Sequence, residues 1–252
     1  MRSISDTNEY KNICSLAAKN EQVFNRFKRD ASYIAILEHV TESIGQDYFK
    51  YIVENLPEYK LYIDLFKLND KYGDPRIFNY PDFGNVSPTT LRYIKVLSDL
   101  KILFGDLTNK KIVEIGVGYG GQCFILQQYF NPKDYFLLDI EEALALTNEY
   151  LNKLNTKHTI LNIEDLDSID EEFDLVISNY AYSELCMKSQ DLYYEKIIKK
   201  SKHGYFTLNF ISDIYGLNYY SLDQIKEKFS EKNFCILDEK PKTFEKNIIL
   251  YF

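Results

Sequence analysis

Four of the ten glycines in this 252-residue chain stand within six positions, in the run Ile112-Val113-Glu114-Ile115-Gly116-Val117-Gly118-Tyr119-Gly120-Gly121. An apolar strand that runs into glycines and then into a helix, here one whose Cys123, Leu126 and Phe130 share a face, is the geometry of a nucleotide site. Glycines let the backbone turn sharply and approach a ligand. The free N–H groups that open the following helix favour polar or anionic ligand groups. Asp139 closes the next apolar run, Phe136-Leu137-Leu138. A carboxylate there can accept both hydrogen bonds of a ribose diol, at the strand end where open α/β sheets hold their ligands. Gly116, Gly118 and Gly121 also satisfy G-x-G-x-x-G, so the turn by itself leaves a nicotinamide or flavin cofactor open.

The elements that must position this turn alternate from Lys111 onward. Strands are expected at Lys111 to Ile115, Tyr135 to Ile140, Thr159 to Ile163, Phe173 to Ser178 and Tyr205 to Phe210. Helices fall between them, from about Gly121, over Ala143 to Leu154, around Gln190 to Lys200 and over Leu222 to Phe229. This alternation predicts an α/β fold with a parallel sheet. Two closing strands, Phe234 to Leu237 and Asn247 to Phe252, are separated only by the Pro241-Lys242-Thr243 region and should form a hairpin, adding an antiparallel strand. Residues 1–108 read instead as a helix-rich cap. There Tyr33, Leu37, Val40 and Ile44 form one apolar stripe of an expected helix, and Tyr72 to Asn85 is an aromatic-rich loop. A further helix starts at Ser87 as N-cap with Pro88 at its first position, and should end at Gly105.

Composition narrows the function classes. With 30 Lys plus Arg against 38 Asp plus Glu, the formal net charge is −8, which gives little basis for holding nucleic acid. No stretch is apolar enough for a membrane span, and the start lacks the pattern of a secretory signal, so a cytoplasmic protein is expected. Cys14, Cys123, Cys186 and Cys235 are far apart, which argues against a disulfide framework or a cysteine-rich zinc site.

The strand-borne Glu114-x-Gly116-x-Gly118-x-Gly120, Asp139 and Phe173-Asp174-Leu175-Val176-Ile177-Ser178-Asn179 resemble class I S-adenosylmethionine-dependent methyltransferases over residues 109–252. Ser87-Pro88-Thr89-Thr90-Leu91-Arg92-Tyr93, Ser178 to Leu185 and Gly204-Tyr205-Phe206-Thr207-Leu208-Asn209 resemble, more specifically, the sugar O-methyltransferases of bacterial surface-glycan clusters. The resemblance implies a seven-stranded Rossmann-like sheet, and S-adenosylmethionine as donor with S-adenosylhomocysteine as product. It implies a sugar or nucleotide-sugar acceptor on the way to capsule or lipopolysaccharide. It further implies that Glu114 and Gly116 to Gly120 lie along the methionine part of the cofactor, that Asp139 takes the ribose and that Asp165 takes the adenine amino group. An NAD(P)-dependent oxidoreductase and a non-catalytic partner protein of the same fold remain the alternatives.

Methyl transfer to oxygen needs an aligned acceptor and removal of the hydroxyl proton. Ligands gather at the carboxyl ends of parallel strands, which points to Asn179 through Glu184 and to Asn209. Glu184 is the candidate base, provided that apolar neighbours such as Tyr180, Tyr182 and Leu185 raise its proton affinity; the alternative is an idle first-turn acid. Asn179 and Asn209 could bind substrate or cofactor, or satisfy loop backbone. His158 and His203 precede strands and belong to the opposite edge, and His39 in the cap reads as structural. Arg92 could meet a cofactor carboxylate or a substrate phosphate, with a surface ion pair as the alternative. Tyr180, Tyr182 and Tyr80 are the aromatic candidates for the sugar, although the loop carrying Tyr80 could equally fill the core. No metal site is spelled out, Asp213 being the one residue that could contribute to a divalent ion. Oligomeric state is not legible.

Overall fold

The computed structural model describes residues 3, 5–167, 171–211 and 216–252. Helices α1 (Asn8–Lys19), α2 (Glu21–Phe24), α3 (Ala31–Tyr33), α4 (Glu42–Asn55) and α5 (Ile63–Lys67) make up the front of the chain. They are followed by a small hairpin of β1 (Phe78–Tyr80) and β2 (Gly84–Val86) within the segment expected to be loop. Helix α6 (Pro88–Phe104) then leads into β3 (Lys111–Ile115), α7 (Gly121–Phe130), β4 (Asp134–Leu138), α8 (Glu141–Lys153) and β5 (Thr159–Ile160). The remainder is β6 (Phe173–Asn179), α9 (Met187–Tyr193), β7 (Ser201–Leu208), α10 (Leu222–Lys228), β8 (Cys235–Asp238) and β9 (Ile248–Tyr251).

Seven strands form one sheet in the order β5-β4-β3-β6-β7-β9-β8. All pairings from β5 to β7 are parallel, and β9 is antiparallel to both β7 and β8, as the closing hairpin required. Chain order reverses between β3 and β6, so a crevice opens at the carboxyl ends of these two strands. Side-chain alternation assigns the two faces of the sheet. Ile112 joins the apolar cluster shared with the cap, α6, α7 and α8, whereas Val113 and Ile115 join the cluster with Tyr194, Ile197, Ile225 and Phe229 on the other face.

Helix α6 follows its local signals. Ser87 Oγ accepts from the Thr90 N–H at 3.0 Å, Pro88 occupies the first turn where its missing N–H costs nothing, and Gly105 at φ +73° stops the helix. It packs against α4 and α7, burying Leu91, Ile94, Leu97 and Leu100.

Three expectations are corrected. The stripe Tyr33-Leu37-Val40-Ile44 does not lie on one helix: α3 widens into a π-helical turn over Ile34–Glu38, and Thr41 caps the separate helix α4 by accepting from the Ile44 N–H at 3.3 Å. A threonine hydroxyl offers the backbone a local partner that interrupts helix propagation. The third predicted strand is shorter, and Ile163–Asp167 forms a 3-10 turn. His203 lies within β7, which begins at Ser201.

Candidate active site

A cavity of about 1030 Å³ opens at the carboxyl ends of the parallel strands. Gly116, Gly118, Asp139, Ile140 and Asn162 to Glu164, which follow β3, β4 and β5, line one side. Asn179, Tyr180, Ala181, Glu184, Asn209 and the β8–β9 connection line the other, and cap residues including Tyr10, Leu37, His39 and Tyr48, with Arg92 of α6, roof it.

The glycine turn is conformationally forced. Gly116 and Gly118 adopt φ of +80° and +60°, and a Cβ at these positions would collide with Ala181 Cβ and Leu37 Cδ1 respectively. The Gly116 N–H donates to Leu138 O at 2.8 Å, and Thr147 Oγ1 donates to Gly118 O at 2.8 Å, which ties the turn to β4 and α8. Asp139 receives the N–H groups of Gly118 at 3.0 Å and Ile140 at 2.7 Å. Burial pushes its carboxyl up to about 6, against the lowering effect of those backbone donors. Asp6, Glu141, Glu142 and Glu164 also line the cavity, and the lining Lys11 is paired with Asp6. Such an acid-rich wall suits a cationic ligand.

On the other side, Asn209 Nδ2 donates to Glu184 Oε1 at 2.6 Å, while Ser183 Oγ accepts from the Asn209 N–H at 3.0 Å and shares its one proton between Tyr180 O at 2.9 Å and Asn209 Oδ1 at 3.1 Å. Burial raises Glu184 to about 7, with the Asn209 bond and the Arg92 charge opposing. Asn179 Nδ2 is buried without a hydrogen-bond partner, and so has a donor to offer a ligand. Tyr180 holds φ +67°, strained for a residue with a Cβ, and its hydroxyl donates to Glu239. Arg92 is 9% exposed; its Nη2 donates to Leu37 O at 3.2 Å and its guanidinium sits 5.6 Å from the Tyr93 ring centroid, so it is a cavity residue rather than a surface ion pair.

Several expected residues lie elsewhere. Glu114 shares the β3 face of Ile112, where its Oε2 accepts from Tyr135 OH at 2.7 Å beneath the sheet end, and its carboxyl does not line the cavity. Gly120 faces Thr147 and Leu151 of α8. Tyr80 is fully buried against Phe49, and Tyr182 is turned under the sheet against Phe206 and Phe229 with its hydroxyl donating to Gln190 O at 3.2 Å. His158 bonds Thr156 O and Asn148, and His203 packs on Phe104, both away from the cavity. The Asp165 side chain and Asp213 lie outside the described residues. Among the described residues no group of three or more His, Cys, Asp or Glu could hold a metal, and no helix is long and apolar enough to cross a membrane.

Residues not singled out from sequence also reach the cavity: Leu37, Tyr48, Thr243, Phe244 and Asn247. For the last three the local signal is that the connection between β8 and β9, from Glu239 to Asn247, is much longer than a tight hairpin needs.

A model of the methyltransferase domain family matches residues 106–249. The chain belongs to this family. As a class I methyltransferase it takes S-adenosylmethionine as its donor, which decides the cofactor that the glycine turn had left open. Over 118 residues, 44% of its length, this methyltransferase is 25% identical to the release factor glutamine methyltransferase of Flavobacterium psychrophilum. It spans 41% of that relative. Among solved structures it is similar to a methyltransferase from Pyrococcus furiosus, with 16% identity, coverage of 81% of this chain and 96% of that one, and a TM-score of 0.49. It is also similar to magnesium protoporphyrin IX methyltransferase from Synechocystis with bound S-adenosylmethionine, with 15% identity, coverage of 83% and 94%, and a TM-score of 0.49.

The residues present fit that donor. The orphaned Asn179 amide, the glycine cradle and the acid-rich wall suit a ligand that carries a sulfonium, an ammonium and a vicinal diol.

Proposed function

We propose that this methyltransferase transfers a methyl group to a hydroxyl of a sugar or sugar-linked precursor of a bacterial surface polysaccharide, such as a nucleotide sugar, in the cytoplasm. The observation that carries the reading is the Asn209–Glu184 pair: a half-buried carboxyl with a proton affinity near neutrality lines the same cavity as the glycine turn.

Bound S-adenosylmethionine supplies an electrophilic methyl on its sulfonium. Asp139 holds the ribose hydroxyls through its carboxylate, the Gly116–Gly118 backbone lets the ligand approach closely, and Asn179 Nδ2 donates to it. Asp165 is assigned the adenine amino group. Arg92 neutralises a carboxylate or phosphate beneath the cap. Glu184 accepts the proton of the acceptor hydroxyl as the oxygen attacks, and Asn209 holds the carboxylate oxygen that faces it. Tyr180 borders the acceptor. The cap, residues 1–108, covers the cavity, and residues 109–252 bind the donor.

A second reading, transfer to an amide nitrogen, draws support from the relative named as a release factor glutamine methyltransferase. Thermal-shift titration with S-adenosylhomocysteine, followed by tritiated-methyl transfer assays with nucleotide sugars, methyl glycosides and a glutamine peptide, tests both. Label on a sugar supports the proposal; label on the peptide alone overturns it.

A further inference from the structure

Asn247, at the end of the β8–β9 connection, is 4% exposed and lines the cavity. Its Nδ2 donates to Glu239 Oε2 at 3.0 Å and to Thr243 Oγ1 at 2.9 Å. A carboxylate can only accept, so Glu239 fixes the amide orientation and leaves the oxygen on the other side. That oxygen, Asn247 Oδ1, is buried and has no partner. Leaving a buried acceptor unpaired is costly, and a ligand donor is the natural remedy.

Three residues earlier in the same connection, Phe244 also lines the cavity, yet is 51% exposed. A half-exposed phenyl ring beside a polar cavity offers a flat apolar face. Glu239 holds the arrangement together. Its Oε2 also accepts from the Thr243 N–H at 3.0 Å and the Thr243 hydroxyl at 2.6 Å, and its Oε1 accepts from Tyr180 OH. The connection is thereby locked to the residue that follows β6, next to Glu184.

A free amide acceptor and a flat apolar surface, both on one locked loop, match a pyranose. Such a ring carries hydroxyl donors on its rim and C–H groups on its faces. Resting on the sugar reading above, we infer that the Glu239–Asn247 connection is the acceptor-recognising element: Asn247 Oδ1 accepts from a sugar hydroxyl, and Phe244 packs on the face of the sugar.

Saturation-transfer NMR tests this with four probes, UDP-glucose and the methyl α-glycosides of glucose, mannose and rhamnose, each read with and without S-adenosylhomocysteine. At least one probe should bind, its affinity should fall about tenfold or more in Phe244→Ala, and Phe244→Trp should restore most of it. Asn247→Leu should weaken the same probe while leaving the affinity for S-adenosylhomocysteine unchanged. Because Asn247 is buried and Phe244 is not, the Phe244 pair decides the matter even if Asn247→Leu fails to fold. A probe that binds Phe244→Ala as well as the parent overturns the inference and leaves the sugar reading intact. Absence of transfer from all four probes overturns both. Loss of S-adenosylhomocysteine binding alone strikes the donor site, and the sugar arm without it still decides the role of the loop.

Discussion

Asn209 Nδ2 donates to Glu184 Oε1 at 2.6 Å, joining the residue that follows β7 to the turn that follows β6. The bond favours the ionised form of Glu184, against the burial that raises it to about 7. Both groups sit at the wall of the cavity, so the bond sets the pH at which the proposed base becomes available. The transfer rate should climb with pH on an acidic limb centred near 7 and then level off. Glu184→Gln should slow transfer by about 10²–10⁴-fold with unchanged S-adenosylhomocysteine affinity. Asn209→Ala, by removing a donor to the charged form, should move the limb to higher pH. A limb that stays in place in Asn209→Ala, in a rate profile from pH 5 to 9, would discard the pairing as a functional device.

Asp139 carries the corresponding prediction for the donor. Its ionised form is the one that accepts two hydroxyl donors, and burial raises it to about 6. Calorimetry should therefore find S-adenosylhomocysteine binding weakened as pH falls from 7 to 5. Asp139→Ala should lose about 1–3 kcal/mol of binding at pH 7. Asp139→Asn, which cannot ionise, should flatten the pH dependence. Equal affinity for the parent and Asp139→Ala would remove the ribose role.

What the sequence made legible is what short-range chemistry decides. Helix α6 begins and ends at Ser87 and Gly105 because capping and φ are local, and β3 occupies Lys111–Ile115 because a glycine turn terminates it. The sheet followed from alternation, and its hairpin from the spacing of the last two strands, which is too small for a parallel crossover. The placement of Glu114, Tyr80 and Tyr182 was not legible, because it depends on which face of a strand or turn meets the core. Glu114 has the right position along β3 but lies on the side of Ile112, and Tyr182 is two residues from Tyr180 but packs on Phe206. Phe244 and Asn247 were missed for a related reason. A long hairpin connection can fold anywhere until Glu239 meets Tyr180, a contact 59 residues apart in sequence.

The contact between Leu37 and Gly118 separates two costs that usually appear together. An alanine at φ +60° pays about 1–2 kcal/mol for the left-handed backbone alone. At Gly118 its Cβ would also collide with Leu37 Cδ1 of the cap. Gly118→Ala should therefore cost more in the parent than in a Leu37→Ala background, where only the backbone cost of about 1–2 kcal/mol remains. Urea denaturation of the parent, both single variants and the double variant measures the coupling. Equal costs in the two backgrounds would mean that the cap does not bear on the glycine turn.

Glu114 predicts a pH-dependent stability that is read without any ligand. Burial raises its carboxyl from the ordinary value of 4.5 to about 8, with the Tyr135 hydroxyl opposing and Asp139 adding to the rise. Below pH 4.5 the group is protonated in both the folded and the unfolded chain, and the fold keeps the full benefit. As pH rises from 4.5, the unfolded chain ionises while the folded protein holds its proton, so stability falls steadily until about pH 8, where the folded group ionises as well. Glu114→Gln cannot ionise and still offers Tyr135 an oxygen. Relative to the parent it should gain on the order of 3 kcal/mol between pH 5 and pH 8. Taking the difference between the two proteins in parallel urea titrations cancels the contribution of Glu184, which titrates in both. A difference that stays constant across that window would show that Glu114 is ionised in the folded protein at neutral pH, with its charge carried by the Tyr135 hydroxyl.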